Sequence, residues 1–266
     1  RPTVWMSQRE PPPAKAELIL SDTCGSPRGN TCSMRPLQSS RRLEKRVITQ
    51  TPAIKIRTRS TAEAAPCGKN SAGFESWKRV FANEAQGNGV GPKAVAALLA
   101  TSYSTGTIAA DRGQHSFKLS LDAFMAKRGA SAIAARGKSM KAANTALFSS
   151  IEKRYGVPPG PLIAIWGMET GFGAITGNQN TLSAVATLAY DCRRTDYFTD
   201  QLYAALSLVD RGILSPDARG AMHGEVGQTQ FLPKNILLYG VDGDGNGRIS
   251  LYNTDGGDYV VSVHHR

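Results

Sequence analysis

Apolar side chains recur at helical spacing along most of the chain after residue 73. Phe74, Trp77, Val80 and Phe81 share one face of a helix that Gly87 and Gly89 end. Pro92 opens a second helix carrying Val95, Leu98 and Leu99, and Ser120-Leu121-Asp122-Ala123-Phe124-Met125 begins another. The Ala/Lys/Arg-rich stretch from Ala130 to Tyr155 places Ile133, Met140, Leu147 and Ile151 as one long helix would. Gly156-Val157-Pro158-Pro159 stops it and starts the next helix, with proline in the first turn. That helix is almost wholly apolar and should end near Thr170-Gly171. Thr181 to Ala189 is a short apolar run, and Tyr197 to Arg211 repeats Phe198, Leu202, Ala205, Leu206 and Val209 at helical intervals. Ser215-Pro216 reads as an N-cap followed by a first-turn proline. Phe231-Leu232-Pro233 leads into Ile236-Leu237-Leu238-Tyr239. No segment alternates as a convincing strand, so residues 67–266 are expected to form one mainly α domain.

Residues 1–66 show neither period. They contain Pro11-Pro12-Pro13, a Gly/Ser/Asn/Cys-rich run over 25–34 and the basic run Arg41-Arg42-Leu43-Glu44-Lys45-Arg46. This composition predicts a disordered basic tail or a mis-assigned start. It also carries much of the charge: 12 Lys/Arg against 5 Asp/Glu, in a chain of net charge +11. A basic arm can seek nucleic acid or a membrane surface. No aromatic stacking platform accompanies the charge, so no specific nucleic-acid partner is expected. No apolar run approaches the ~18 residues of a membrane span, and no secretory h-region is visible. Cys24, Cys32, Cys67 and Cys192 form no CxxC pair and complete no zinc spacing with the histidines. Cys67 and Cys192 form a disulfide if the protein is exported, or else stay as two free thiols.

Four segments carry candidate chemistry. Glu169 is a lone carboxyl at the end of the apolar helix Pro159 to Thr170, followed by Gly171-Phe172-Gly173. The negative pole of the helix and a wall of Trp166, Met168 and Phe172 both disfavour its charged form. A carboxyl kept protonated towards neutral pH suits a general acid acting on a glycosidic oxygen; the alternative is a surface glutamate at a helix end. Gly224-Glu225-Val226-Gly227-Gln228-Thr229-Gln230 brings backbone close to a ligand, and Gln228 and Gln230 add amide donors and acceptors suited to sugar hydroxyls. Asp242-Gly243-Asp244-Gly245-Asn246-Gly247 fits the first half of an EF-hand loop, although Asn253 stands where a bidentate Glu is normal. Asp242, Asp244, Asn246, Arg248 and Asp258 are the candidate calcium set, against a metal-free Gly/Asp turn. Tyr190, Arg193 and Arg194 combine an aromatic with paired guanidiniums that can bind carboxylates or stack on sugars; the alternative is a helix N-terminus with solvated charges and core aromatics.

In order and spacing these pieces resemble the lytic murein transglycosylase B family. The resemblance rests on Tyr-Gly-Val-Pro-Pro (155–159), Trp-Gly-Met-Glu-Thr (166–170), Thr-Leu-Ala-Tyr-Asp-Cys-Arg-Arg (187–194), Gly-Glu-Val-Gly-Gln-Thr-Gln-Phe-Leu-Pro (224–233) and Val-Asp-Gly-Asp-Gly-Asn-Gly-Arg (241–248). It implies a lysozyme-like helical catalytic domain with an EF-hand-like calcium loop. It implies cleavage of the MurNAc–GlcNAc β-1,4 bond of peptidoglycan without water, leaving 1,6-anhydromuramic ends. Glu169 matches the family's single catalytic glutamate, acid first and then base, so no second catalytic carboxylate is demanded, unlike the usual two-carboxylate glycosidase. Gln230, with Gln228 and Gly227 beside it, matches the substrate-contacting segment. Arg193 and Arg194 match arginines expected near the peptide stem. Peptidoglycan strands are the implied partner, the periplasm or cell envelope the implied location, and a monomer the expected state. The chain departs from the family at Met222-His223 and at Lys234-Asn235-Ile236. It also ends at Arg266, before the C-terminal segment the family normally adds, so a catalytically inactive, peptidoglycan-binding relative is the competing expectation.

Overall fold

The computed structural model describes residues 66–113, 119–242 and 249–251. The expectations for residues 1–65, and for Asp244, Asn246, Arg248 and Asp258, lie outside them. Among the described residues the helices are α1 (Phe74–Gly87), α2 (Pro92–Leu99), α3 (Thr105–Arg112), α4 (Leu121–Arg128), α5 (Ala130–Ala143), α6 (Thr145–Tyr155), α7 (Pro159–Thr170), α8 (Thr181–Tyr190), α9 (Thr195–Asp210) and α10 (Pro233–Tyr239). Two-residue strands β1 (Gln179–Asn180) and β2 (Arg219–Gly220) pair antiparallel, with Gln179 opposite Gly220.

The helices gather around two cores. The short apolar run at Thr181 is the centre of the first. Every residue of α8 is buried, and α9, α1, α2 and α3 pack around it. A helix that is apolar on all sides belongs at such a centre. Phe74 and Trp77 of α1 close on Tyr190 at the end of α8, each with ring centroids 5.5 Å away. On α1 and α2 the buried face omits Val80 (45% exposed) and Leu99 (43%), and instead includes Lys78, whose ammonium donates to Thr101 O at 2.6 Å. At the entry to α2, Asp210 from the end of α9 accepts from Gly91 N (2.7 Å) and Ala94 N (3.1 Å), satisfying two first-turn amides that the α2 sequence cannot cap itself.

The second core joins α5, α6 and α7 through Phe148, Ile151, Ile163, Trp166 and Phe172. Glycines let α5 and α7 approach: a Cβ on Gly137 would lie 2.8 Å from Ile163 Cγ2, and one on Gly167 2.5 Å from Ile133 Cγ2. The single long helix expected from Ala130 to Tyr155 is broken at Asn144. Its side-chain amide donates to Met140 O at 2.9 Å and Thr145 Oγ1 to Ala142 O at 2.9 Å, competing with the backbone ladder. Ser215-Pro216 caps no helix. Ser215 Oγ accepts from Asp217 N in a turn that delivers β2. Cys67 and Cys192 are joined in a disulfide, which selects between the two readings of these thiols.

Candidate active site

Glu169 lies in the last turn of α7, a consequence of how that helix ends. Gly171 adopts the left-handed conformation (φ 60°) and donates to Gly167 O at 3.1 Å. Phe172 (φ 63°) and Gly173 (φ 81°) continue in the same region. For Phe172 this is a conformation that side chains rarely adopt. It is held by burial: the ring meets Trp166 edge-on at 5.2 Å, and the Arg136 guanidinium sits 5.3 Å from its centroid. The chain thus turns sharply just after Glu169 while its aromatic neighbours stay in the core. Met168, the third member of the expected apolar wall, is 38% exposed.

The glycine-rich segment 224–231 is fixed against this helix end. Val226 and Phe231 exchange backbone hydrogen bonds of 3.0 and 3.2 Å, closing the turn between them. Trp166 Nε1 donates to Gln228 Oε1 at 2.6 Å, and Thr170 Oγ1 donates to Gln228 O at 2.7 Å. Gly173 N in turn donates to Thr170 Oγ1 at 2.9 Å. The φ of Gly173 favours glycine, and a Cβ there would come within 2.5 Å of Gln228 Oε1 and displace the amide that Trp166 holds. Gln230, at φ 54°, donates through Nε2 to Thr176 O (3.1 Å) and Gly227 O (2.8 Å). Gly227 is buried beside Leu251, whose carbonyl would lie 2.7 Å from an added Cβ. Gln228, Gln230 and Gly227 are therefore brought to Glu169's end of α7, with part of their hydrogen-bonding capacity spent on holding the segment there.

Electrostatically, Glu169 is half-buried, and loss of solvent pushes its carboxyl above the ordinary value. The Arg128 guanidinium at the end of α4 opposes that shift and the charge of Glu225 adds to it. Arg128 is anchored nearby by donation to Met168 O. Neither Arg128 nor Glu225 was picked out by sequence pattern. Glu225 lies within the Gly-Glu-Val-Gly-Gln segment, but only the fold brings its charge to bear on Glu169.

The remaining sequence candidates are placed differently. Tyr190 is 3% exposed within the aromatic core, and a Cβ on Gly68 would fall 1.8 Å from its hydroxyl. It is a packing residue, which corrects its expected place in substrate binding: a ring enclosed by Phe74, Trp77 and Gly68 offers no face to a sugar. Arg193 and Arg194 do bind a carboxylate, that of the chain's own buried Asp111 on α3. Arg194 also lies over the Phe198 ring at 4.8 Å. Asp242 is the one calcium candidate among the described residues. Its backbone carbonyl accepts from Tyr155 Oη at 3.2 Å, tying it to the end of α6. Among the described residues no group of three or more His, Cys, Asp or Glu could hold a metal, and no helix is long and apolar enough to cross a membrane.

Comparison with known proteins bears on the family and the fold. The family model described as "Transglycosylase SLT domain" matches residues 73–265. The chain is similar to the membrane-bound lytic murein transglycosylase B of Escherichia coli K12, with 36% identity over 101 residues, 37% of this chain and 28% of that protein. Its fold is similar to SltB3 of Pseudomonas aeruginosa in complex with NAG-anhNAM-pentapeptide, with TM-score 0.64, 30% identity and coverage of 70% of this chain and 50% of that one. It is also similar to the soluble lytic transglycosylase SltB1 of the same organism, with TM-score 0.61, 26% identity and coverage of 68% and 62%. The chain thus spans less than two thirds of the length of these relatives. With five sequence motifs, a lysozyme-like helical fold and a family match over most of its length, the chain belongs to the transglycosylase SLT domain family.

Proposed function

We propose that the protein is a peptidoglycan lytic transglycosylase that cleaves the MurNAc–GlcNAc β-1,4 bond with Glu169 as its only catalytic carboxylate. The observation that carries this reading is the position of Glu169: half-buried, raised in proton affinity, and at the helix end to which the glycine- and glutamine-rich segment is bonded. Protonated Glu169 gives its proton to the glycosidic oxygen as the bond from that oxygen to the muramyl anomeric carbon breaks. The carboxylate left behind takes the proton from the muramyl 6-hydroxyl, whose oxygen closes on the anomeric carbon. No water is consumed, one 1,6-anhydro end forms, and Glu169 is returned protonated. Gln228, Gln230 and the Gly227 backbone are the proposed glycan contacts, and Arg193 and Arg194 the proposed contacts to the peptide stem. The disulfide between Cys67 and Cys192 supports an oxidising compartment, and we assign the protein to the periplasm or cell envelope.

Products released from peptidoglycan sacculi distinguish this reading from a binding relic. Wild-type protein is expected to release muropeptides lighter by one water than hydrolysis products, and Glu169→Gln none while staying folded. Binding to sacculi with no soluble product from folded wild-type protein would select the inactive relative instead. Calcium is proposed for the loop beginning at Asp242, on the strength of the Asp242, Asp244, Asn246 spacing. Adding calcium to chelator-treated protein is expected to raise the melting temperature, and Asp244→Ala to abolish the rise; an identical rise in the variant would remove calcium from that loop.

A further inference from the structure

One buried group takes no part in the proposed chemistry yet adjoins it. His223 precedes Gly224 in the loop that leads to the glutamine segment, and its side chain is 4% exposed. Neither ring nitrogen has an aligned hydrogen-bond partner among the described residues. Both nevertheless face carboxylates. Nδ1 is 3.4 Å from Glu225 Oε1, and Nε2 is 4.0 Å from Asp111 Oδ1. Asp111, 1% exposed, is held by Arg193 through Oδ2 and by Arg194 through Oδ1, the oxygen that faces His223. Glu225, 8% exposed, also accepts from His223 N at 3.1 Å through Oε2. A buried imidazole with carboxylates on both sides can donate to either, which is the arrangement by which an orienting residue fixes a working one.

The charge at the Glu225 end of this row is felt at Glu169. Gln228, three residues on, is bonded to Trp166 and Thr170 of α7, so the segment carrying Glu225 is locked to the helix end carrying Glu169. We propose that His223 and Glu225 are positioning residues for Glu169: the imidazole, enclosed between Asp111 and Glu225, holds the buried Glu225 carboxylate in place within the loop that is bonded to the helix end carrying Glu169. This rests on the reading of Glu169 as the acid that starts the reaction. The loop then has two duties, since its glutamines face the glycan and its histidine and glutamate set the proton on the acid. The other charged group acting on Glu169 is Arg128, from α4, which opposes Glu225. Glu225 is itself faced by His223 and lies within electrostatic reach of Arg194 and Tyr197.

The test follows the Glu169 side-chain carboxyl by NMR in the full chain labelled with 13C-glutamate, its signal identified by loss in Glu169→Gln. This readout needs no turnover. Glu225→Gln, which keeps the volume and removes the charge, is expected to lower the Glu169 titration midpoint by at least about half a pH unit. His223→Leu is expected to lower it in the same direction by freeing Glu225, and to add nothing in the Glu225→Gln background. His223→Asn, which keeps a donor near the Nδ1 position, is expected to retain the wild-type midpoint. An unmoved midpoint in Glu225→Gln overturns the proposal whether or not His223→Leu folds, and so does a His223→Leu effect that persists without the Glu225 charge. Sacculus digestion run alongside separates the two readings. Shifted midpoints without anhydro products sink the transglycosylase activity alone, whereas anhydro products with unmoved midpoints sink the positioning pair alone.

Discussion

Glu169 carries a cost as well as its proposed use. Burial holds its carboxyl above the ordinary value in the folded chain, while in the unfolded chain it titrates normally. The folded state therefore keeps a proton that the unfolded state has already lost, and stability falls as pH rises from the ordinary carboxyl range through the raised midpoint. Glu169→Gln removes that titration. Its melting temperature is expected to match wild type at acidic pH and to exceed it at neutral and alkaline pH. Parallel pH curves for the two proteins would show that Glu169 is not held protonated by the fold. At this scale the sequence marks the residue itself, because an acid closing an apolar helix is a visible conflict. It was a poor guide to the neighbours. Arg128 is 41 positions away and Glu225 is 56, and no periodicity links them to Glu169. Tyr190 shows the opposite failure: it lies next to Asp191 and the arginines in sequence, yet its ring turns into the aromatic core.

Helices were legible where both ends are written locally. The α7 boundaries follow from Pro159 at the start and Gly171 at the end, and α1 from its aromatic face and the glycines beyond it. Boundaries made by side chains were misjudged, as at Asn144, where an amide breaks a helix that composition favours. The buried α8 was legible only as an apolar run, since a helix enclosed on all sides has no polar face to reveal its period. The cap of α2 is a further tertiary device. Asp210 is 119 positions from Gly91, and it places negative charge at the helix N-terminus. Asp210→Ala is expected to destabilise the fold by about 1–2 kcal/mol, the usual cost of losing an N-cap carboxylate. Asp210→Asn should recover part of it. Chemical denaturation measures both, and an unchanged midpoint for Asp210→Ala would show that solvent satisfies the two amides equally well.

Across the whole molecule, the disulfide closes a loop of 125 residues containing α1 to α8, and the β-bridge between Gly68 and Asp191 runs beside it. Constraining so long a loop in the unfolded chain is worth about 4–5 kcal/mol if native packing is unstrained. A Cys67→Ser, Cys192→Ser double variant is expected to lose roughly 2–5 kcal/mol of stability, measured by denaturation with and without reductant. Equal stability in both would mean that the bond contributes nothing to the folded chain. The sequence by itself determined the helical class, the family motifs, the position of Glu169 and the two cysteines able to pair, because each is encoded within a few residues or in a spacing. Only the tertiary structure decided which of the two thiol readings holds, that Arg193 and Arg194 pair with Asp111, that His223 lies between Asp111 and Glu225, and that the charge of Glu225 acts on Glu169. Burial and charge proximity depend on which surfaces the two cores bring together, and no local stretch of chain contains that information.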